Sequence, residues 1–168
     1  MPSETWEGPL PDAIRERFGE GVEKAVVLGG QKLLVVGLGA AADILASLRD
    51  DHGFDYLVDV TAVHWPEKEL PFEMVWILYS FDSNERVRVK AALAEGVKVP
   101  SAAGLYNAAN WLEREVYDMF GIEFENHPGL RRILMPDEWE GFPLRKDYGI
   151  VQQDTDWVRE NLKIESAQ

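Results

Sequence analysis

The run Phe72-Glu-Met-Val-Trp-Ile-Leu-Tyr-Ser-Phe81 constrains the fold more than any other stretch. It reads as a strand that is apolar on both faces, and such a strand belongs in the interior of a sheet. Its neighbours in sequence supply partners. Tyr56 to Val63 is a strand, joined to it by His64–Pro71, a loop with two prolines and a tryptophan. Asp82-Ser83-Asn84 is a turn signal. Glu85 to Leu93 then alternates Val87 and Val89 with Arg86, Arg88 and Lys90, as a strand with one solvated face does. Upstream, Val22–Leu28 and Lys32–Val36 flank Gly29-Gly30-Gln31 and predict a hairpin. Leu10–Phe18 predicts a short helix, with Asp12 in its first turn, Arg15 and Arg17 near its end and Gly19 beyond, an order that suits the helix dipole. Ala40–Arg49 predicts another, with Ala41, Ile44, Leu45 and Leu48 on one side. Strands joined mainly by hairpins predict an α+β fold, a mainly antiparallel sheet with helices packed on one side. The expected division is a mobile lead over residues 1–9, a globular domain over 10–134 and an extended tail over 135–168 that carries a short helix at Trp157–Ile164. No internal repeat or low-complexity segment interrupts this plan.

The long C-terminal helix that closes the domain is predicted from Asn107 to Phe120, with Gly121 as its stop. Ala108, Ala109, Leu112, Val116, Met119 and Phe120 share one face. Arg114 and Asp118 fall opposite, four apart, as an exposed pair worth a few tenths of a kcal/mol. Glu115 lands at the edge of the apolar face, where a carboxylate needs a partner. Arg131, Arg132 and Arg145 are the candidates, and Glu115→Ala is expected to destabilise the chain more than Asp118→Ala. Beyond Gly121 the chain carries large apolar groups and several prolines with no period. A segment of that kind cannot bury its own aromatics, so it is expected to lie along something else.

Glu113, Arg114, Glu115, Asp118, Met119-Phe120, then His127, Arg131 and Ile133-Leu134 resemble the signature of the thirty-kilodalton subunit family of respiratory complex I, the NADH-quinone oxidoreductase. Pro143-Leu-Arg-Lys-Asp-Tyr148 is similar to that family's second hallmark. The resemblance implies a non-catalytic structural subunit of the peripheral arm of proton-translocating NADH:quinone oxidoreductase, which moves electrons from NADH to quinone. It implies no catalytic, cofactor or metal residue in this chain, FMN and iron–sulfur clusters residing in other subunits. It implies partners among the peripheral-arm subunits, notably the hydrogenase-large-subunit homologue and the terminal-cluster subunit. The expected partner interface is Trp139, Phe142, Leu144, Arg145, Lys146, Asp147 and Tyr148, lying extended across that neighbour. A related membrane-bound complex with another electron donor is the alternative assembly.

Composition sets the outer bounds. The formal net charge is −13, which disfavours an independent nucleic-acid binder and docking on anionic lipid through charge. The chain has no cysteine, so disulfides, thiol nucleophiles and cysteine-ligated clusters are excluded. The N-terminus has no basic region followed by an apolar run, and no apolar run approaches the ~20 residues that span a bilayer. The expected location is the cytoplasmic side of the bacterial inner membrane, peripheral, through the complex and with no direct membrane insertion.

Several motifs invite a chemical reading. Gly37-Leu-Gly-Ala-Ala-Ala42 follows an apolar run and opens a helix, as a dinucleotide-binding loop does, with Asp59 about twenty residues on. The connections between the next strands are too short for crossover helices, so a plain strand–helix turn is the expectation. His52, His64 and His127 show no metal-ligand spacing, and His127 before Pro128 is expected to fix a turn or donate to a backbone carbonyl. The acidic pairs Asp50-Asp51 and Asp137-Glu138 have the chemistry for a cation but are by default solvated, and the stripe Arg86, Arg88, Lys90 is either a solvated face, the default, or a contact to an acidic partner. No P-loop or nucleophile elbow is present.

Overall fold

A computed structural model describes residues 3–149, together with 159, 160 and 163. Its elements are β1 (Glu4–Thr5), α1 (Pro9–Phe18), β2 (Val22–Leu28), β3 (Gln31–Val36), α2 (Leu38–Asp50), β4 (Tyr56–His64), β5 (Phe72–Ser80), β6 (Glu85–Leu93), β7 (Val99–Pro100), α3 (Ala109–Phe120) and β8 (Phe124–Glu125). The short helix expected at Trp157–Ile164 falls largely outside the described residues.

Six strands form one sheet in the order β1-β2-β3-β6-β5-β4. The doubly apolar β5 sits between β6 and β4, as its composition demands. The β2–β3 hairpin turns on Gly29 and Gly30, both at positive φ (57° and 77°), the conformation in which a two-residue turn follows the twist of its strands. The sheet is antiparallel except at one seam, where β3 runs parallel to β6 with Leu33 opposite Arg88. That seam needs a crossover, which α2 and the β4–β5 hairpin supply.

The core lies on one side of the sheet. Leu34, Trp76, Leu78, Val87 and Val89 point into it and meet Ile14, Ile44, Leu45 and Leu48 of the helices. Strand alternation sends Val26, Leu33, Arg88 and Ile77 to the other side, which no helix of the described residues covers. The lead expected to be mobile is instead tied in at Glu4–Thr5. These residues pair with Val26 and Val27, and Trp6 is buried and donates its backbone N–H to Ala25 O at 2.9 Å.

At the glycine-rich turn, Gly37 caps α2 with ordinary φ and ψ of −65° and 139°. Its N–H donates to Gly21 O at 3.0 Å, so the donor a phosphate would need is already engaged. The turn joins a strand to a helix, with Gly21 lying close against Ala40 in the first turn of that helix.

Candidate partner-docking surface

The family-motif residues converge on α3, a helix of 12 residues beginning at Ala109, two residues later than the period predicted. Ala109, Glu113, Val116 and Phe120 recur at helical spacing and are buried. The small parallel pair β7–β8 holds the strand before the helix against the strand after it, with Val99 opposite Phe124. It thereby sets Ser101 and Ala102 beside Glu113, whose carboxylate is fully buried. Ser101 donates its hydroxyl to Glu113 Oε2 at 2.6 Å, and Ala102 donates its backbone N–H to Oε1 at 2.7 Å. No lysine or arginine among the described residues pairs with it, so burial pushes the Glu113 carboxyl up to about 7, the donors from Ser101 and Ala102 only partly opposing it.

His127 lies against this carboxylate, Nε2 being 3.9 Å from Oε2, with both side chains sealed from solvent. Its Nδ1 accepts the Gly129 N–H at 3.0 Å, which leaves the ring proton on Nε2 to be donated to Asn110 O at 3.0 Å. The ring therefore ties the turn at Pro128 to the first turn of α3, the turn-fixing role read from its sequence position.

The opposite side of α3 is covered as well. Asp118 Oδ2 accepts three consecutive backbone N–H groups, from Ile133 at 3.0 Å, Leu134 at 2.7 Å and Met135 at 2.9 Å. Its Oδ1 accepts from Arg132 at 2.6 Å. Burial alone would raise the Asp118 carboxyl, but these backbone donors and Arg132 outweigh it and hold it below its ordinary value. Arg132 reaches further, donating to Trp139 O at 2.9 Å and Gly141 O at 3.1 Å. Arg114 donates to the carbonyls of Arg131 and Arg132 at 3.3 and 3.1 Å and lies over the Trp111 ring at 5.0 Å.

The chain beyond Met135 folds back on the domain. Phe142 packs on Gly121, and Arg145 stacks between Phe72 and Phe142 at 5.0 and 4.9 Å. Arg145 Nε donates to Phe120 O at 2.6 Å, and its Nη1 pairs with Glu95 at 2.7 Å. Leu144 N–H donates to Met119 O at 3.0 Å, and Lys146 N–H donates to His64 Nδ1 at 3.0 Å. Asp147 lies 3.7 Å from that same Nδ1, whose lone pair the Lys146 N–H already occupies.

The structure departs from three expectations. Glu115 is exposed, and the buried acids are Glu113 and Asp118. Of the arginines proposed for Glu115, Arg132 pairs with Asp118 and Arg145 with Glu95. Arg114 and Asp118 are not a solvated pair. Both are buried and hold different parts of the returning chain. The stretch from Gly121 to Tyr148, expected to run out across a neighbour, is anchored by Phe142 and Arg145 to its own domain. Sequence reading misses Ser101, Glu95 and His64 as partners, because they lie far from the motif. Glu113 is within its reach, since this residue falls just beyond Phe120 on the helical wheel, at the edge of the apolar face opposite to that of Glu115.

This wrap leaves an apolar exterior. Trp111 is 61% exposed, Leu134 60% and Leu144 51%. A cleft of about 490 Å³ lies between Trp111, Arg114, Pro128, Leu130 and Arg131. Among the described residues no group of three or more His, Cys, Asp and Glu is placed to hold a metal, and no helix is long and apolar enough to cross a membrane. An exposed tryptophan beside two arginines is the composition of a contact surface.

A sequence model of the 30-kDa subunit of respiratory-chain NADH dehydrogenase matches residues 35–154. The homologous NADH-quinone oxidoreductase subunit of Rhodobacter capsulatus is 47% identical over 156 residues, 90% of this chain and 78% of that protein. Its counterpart from Citrifermentans bemidjiense is 43% identical over 84% of this chain and 88% of its own length. Among solved structures, a trypsin-resistant fragment of Nqo5 superimposes with a TM-score of 0.63 at 28% identity, over 72% of this chain and 98% of the fragment. A chain from an archaeal membrane-bound sulfane sulfur reductase shares the fold, with a TM-score of 0.74 at 24% identity over 95% of this chain and 92% of its own length. The extent of these matches places the protein in the 30-kDa subunit family of respiratory-chain NADH dehydrogenase.

Proposed function

We propose that this chain is a non-catalytic structural subunit of the peripheral arm of NADH:quinone oxidoreductase. Membership of the 30-kDa subunit family carries the proposal, and the geometry supports it. The motif residues Glu113, Arg114, Asp118 and His127 all act on the chain's own backbone. They fix a surface, and the open cleft beside Arg114 lies on it. In this reading FMN and iron–sulfur clusters sit in neighbouring subunits. The chain bridges the hydrogenase-large-subunit homologue and the terminal-cluster subunit on the cytoplasmic side of the membrane. The outward side of the wrap, with Trp111, Arg131, Leu134 and Leu144, is the contact surface, while Phe142 and Arg145 hold the wrap in place from beneath.

The test is purification of the tagged full chain from gently solubilised membranes of its host. Recovery of flavin- and cluster-bearing subunits that oxidise NADH is the expected result. A nickel-bearing large subunit would move the chain to a different respiratory complex, and a lone protein would overturn the subunit role.

A further inference from the structure

The uncovered face of the sheet is a second surface, distinct from the wrap on α3. All three α-helices lie on the opposite side. On the open side, strand register sets Leu33 beside Arg88 and Arg88 beside Ile77, with Val26 opposite Leu33 and Asp59 opposite Ile77. Val75 next to them is only 6% exposed. A row of aliphatic side chains therefore crosses the middle of a sheet face that no helix of the described chain packs against.

At one end of this face stands an aromatic cluster. Tyr56 and Tyr79 are directly paired across β4 and β5. Phe81 meets their rings edge-on at 5.5 and 4.9 Å. Phe81 is 65% exposed and Tyr56 50%. Arg86 lies directly opposite Tyr79 on β6. Three exposed or half-exposed aromatics beside arginine make the kind of patch whose burial dominates binding energy.

The charge of this face runs against that of the molecule. In a chain with a formal net charge of −13, β6 presents Arg86, Arg88 and Lys90 in succession on this side. Lys90 is neutralised by Glu73 at 2.7 Å. Arg88 is different. Its Nε is buried and has no hydrogen-bond acceptor among the described residues. Asp59, the other acid on the face, stands a strand away beyond Ile77. A buried donor without an acceptor is unfavourable, and the penalty is removed when an acceptor arrives. A cleft of about 280 Å³, lined by Gly30, Lys32, Asn84, Glu85, Arg86 and Arg88, opens at the edge of the face beside the two hairpin turns, and its own carboxylate, Glu85, is paired with Lys32.

We propose that the open sheet face binds a protein surface that presents carboxylates among apolar side chains. A carboxylate engages Arg86 and Arg88 at the cleft, and an apolar strip covers Leu33, Ile77 and the Tyr56–Phe81 cluster. The partner is a subunit of the assembly described above, so this inference rests on that reading. It adds a second docking face, on the far side of the molecule from the wrap.

The test uses the full chain in the host that assembles the complex. A photoreactive benzoylphenylalanine replaces Phe81, and in a second strain Tyr56; both sites are exposed, so the fold is kept. Illumination should join the chain to another subunit, at a peptide rich in Asp and Glu. In parallel, the exposed pair of substitutions Arg86→Glu and Phe81→Ser should reduce the recovered neighbour about tenfold, equivalent to 1.4 kcal/mol, while the melting curve of the isolated chain stays in place. Cross-links to a second copy of this chain, to lipid or to a basic peptide would overturn the proposal. So would wild-type recovery by the double variant. In each of those cases the complex is still recovered and the subunit assignment stands. Failure of the unmodified chain to bring down any respiratory subunit would instead overturn the assignment, and the docking face with it.

Discussion

Asp118 is the side chain on which the returning chain depends most directly. Replacing it with alanine strands three backbone N–H groups and leaves the Arg132 charge without its carboxylate, and removing one member of such a buried pair costs about 3–5 kcal/mol. Glu115→Ala, on the same helix, should stay within about 0.5 kcal/mol of the parent, as exposed substitutions do. Urea midpoints of the two variants decide this, and equal midpoints would contradict the buried role of Asp118. The helical period suggests the reverse order, with Glu115 at the edge of the apolar face and Asp118 in solvent. Its placement of Asp118 opposite the apolar stripe is right. What the period does not reveal is that residues 131–142 return to cover that side, because the cover comes from tertiary structure and has no period of its own. Glu113 is another matter, since its place at the edge of the apolar stripe, next to Phe120, is already visible in the spacing.

At the scale of elements, the strands are legible because alternation and turn residues state them locally. The β5 strand, apolar on both faces, announces its interior place. The parallel seam of β3 with β6 is not legible, since nothing local distinguishes a hairpin neighbour from a partner supplied by a crossover. The return of the tail is also hidden, because it depends on a junction between the end of α3 and a residue far along the chain. That junction is Gly121. Its φ of 74° is left-handed, and a Cβ there would stand 2.5–2.7 Å from three atoms of the Phe142 ring. Gly121→Ala thus carries two separable costs, a backbone cost of roughly 1–2 kcal/mol and the displacement of Phe142 from beneath Arg145. In a Phe142→Ala background only the first should remain. A double-mutant cycle read by denaturation should show that the second substitution relieves part of the first. Strict additivity would mean that the ring does not hold the tail against the helix end.

For the whole molecule, the buried acids tie folding stability to pH with opposite signs. The native Glu113 carboxyl titrates at about 7, above its ordinary 4.5. Between those values the native chain holds a proton that the unfolded chain has released, so stability falls as pH rises and levels off above 7. Asp118 acts the other way. Its stability is present above the ordinary 3.8 and is lost as pH falls through its lower native value. Unfolding free energies measured from pH 5.5 to 8, clear of the pI near 4.6, should fall by about 2 kcal/mol at 1.36 kcal/mol per unit. Glu113→Gln, which keeps an acceptor for Ala102 and cannot ionise, should flatten that slope; an unchanged slope would assign it to other groups. The bond set of Asp118 has a further consequence, for variation. The carboxylate grips Ile133, Leu134 and Met135 by their main chain, and every residue except proline offers the same N–H. These three bonds are therefore independent of which side chains the residues carry, although Met135 also packs against the core. Exposed Leu134 is free to change with the neighbour it meets, so the surface can be retuned from one relative to another without re-engineering the scaffold that holds it.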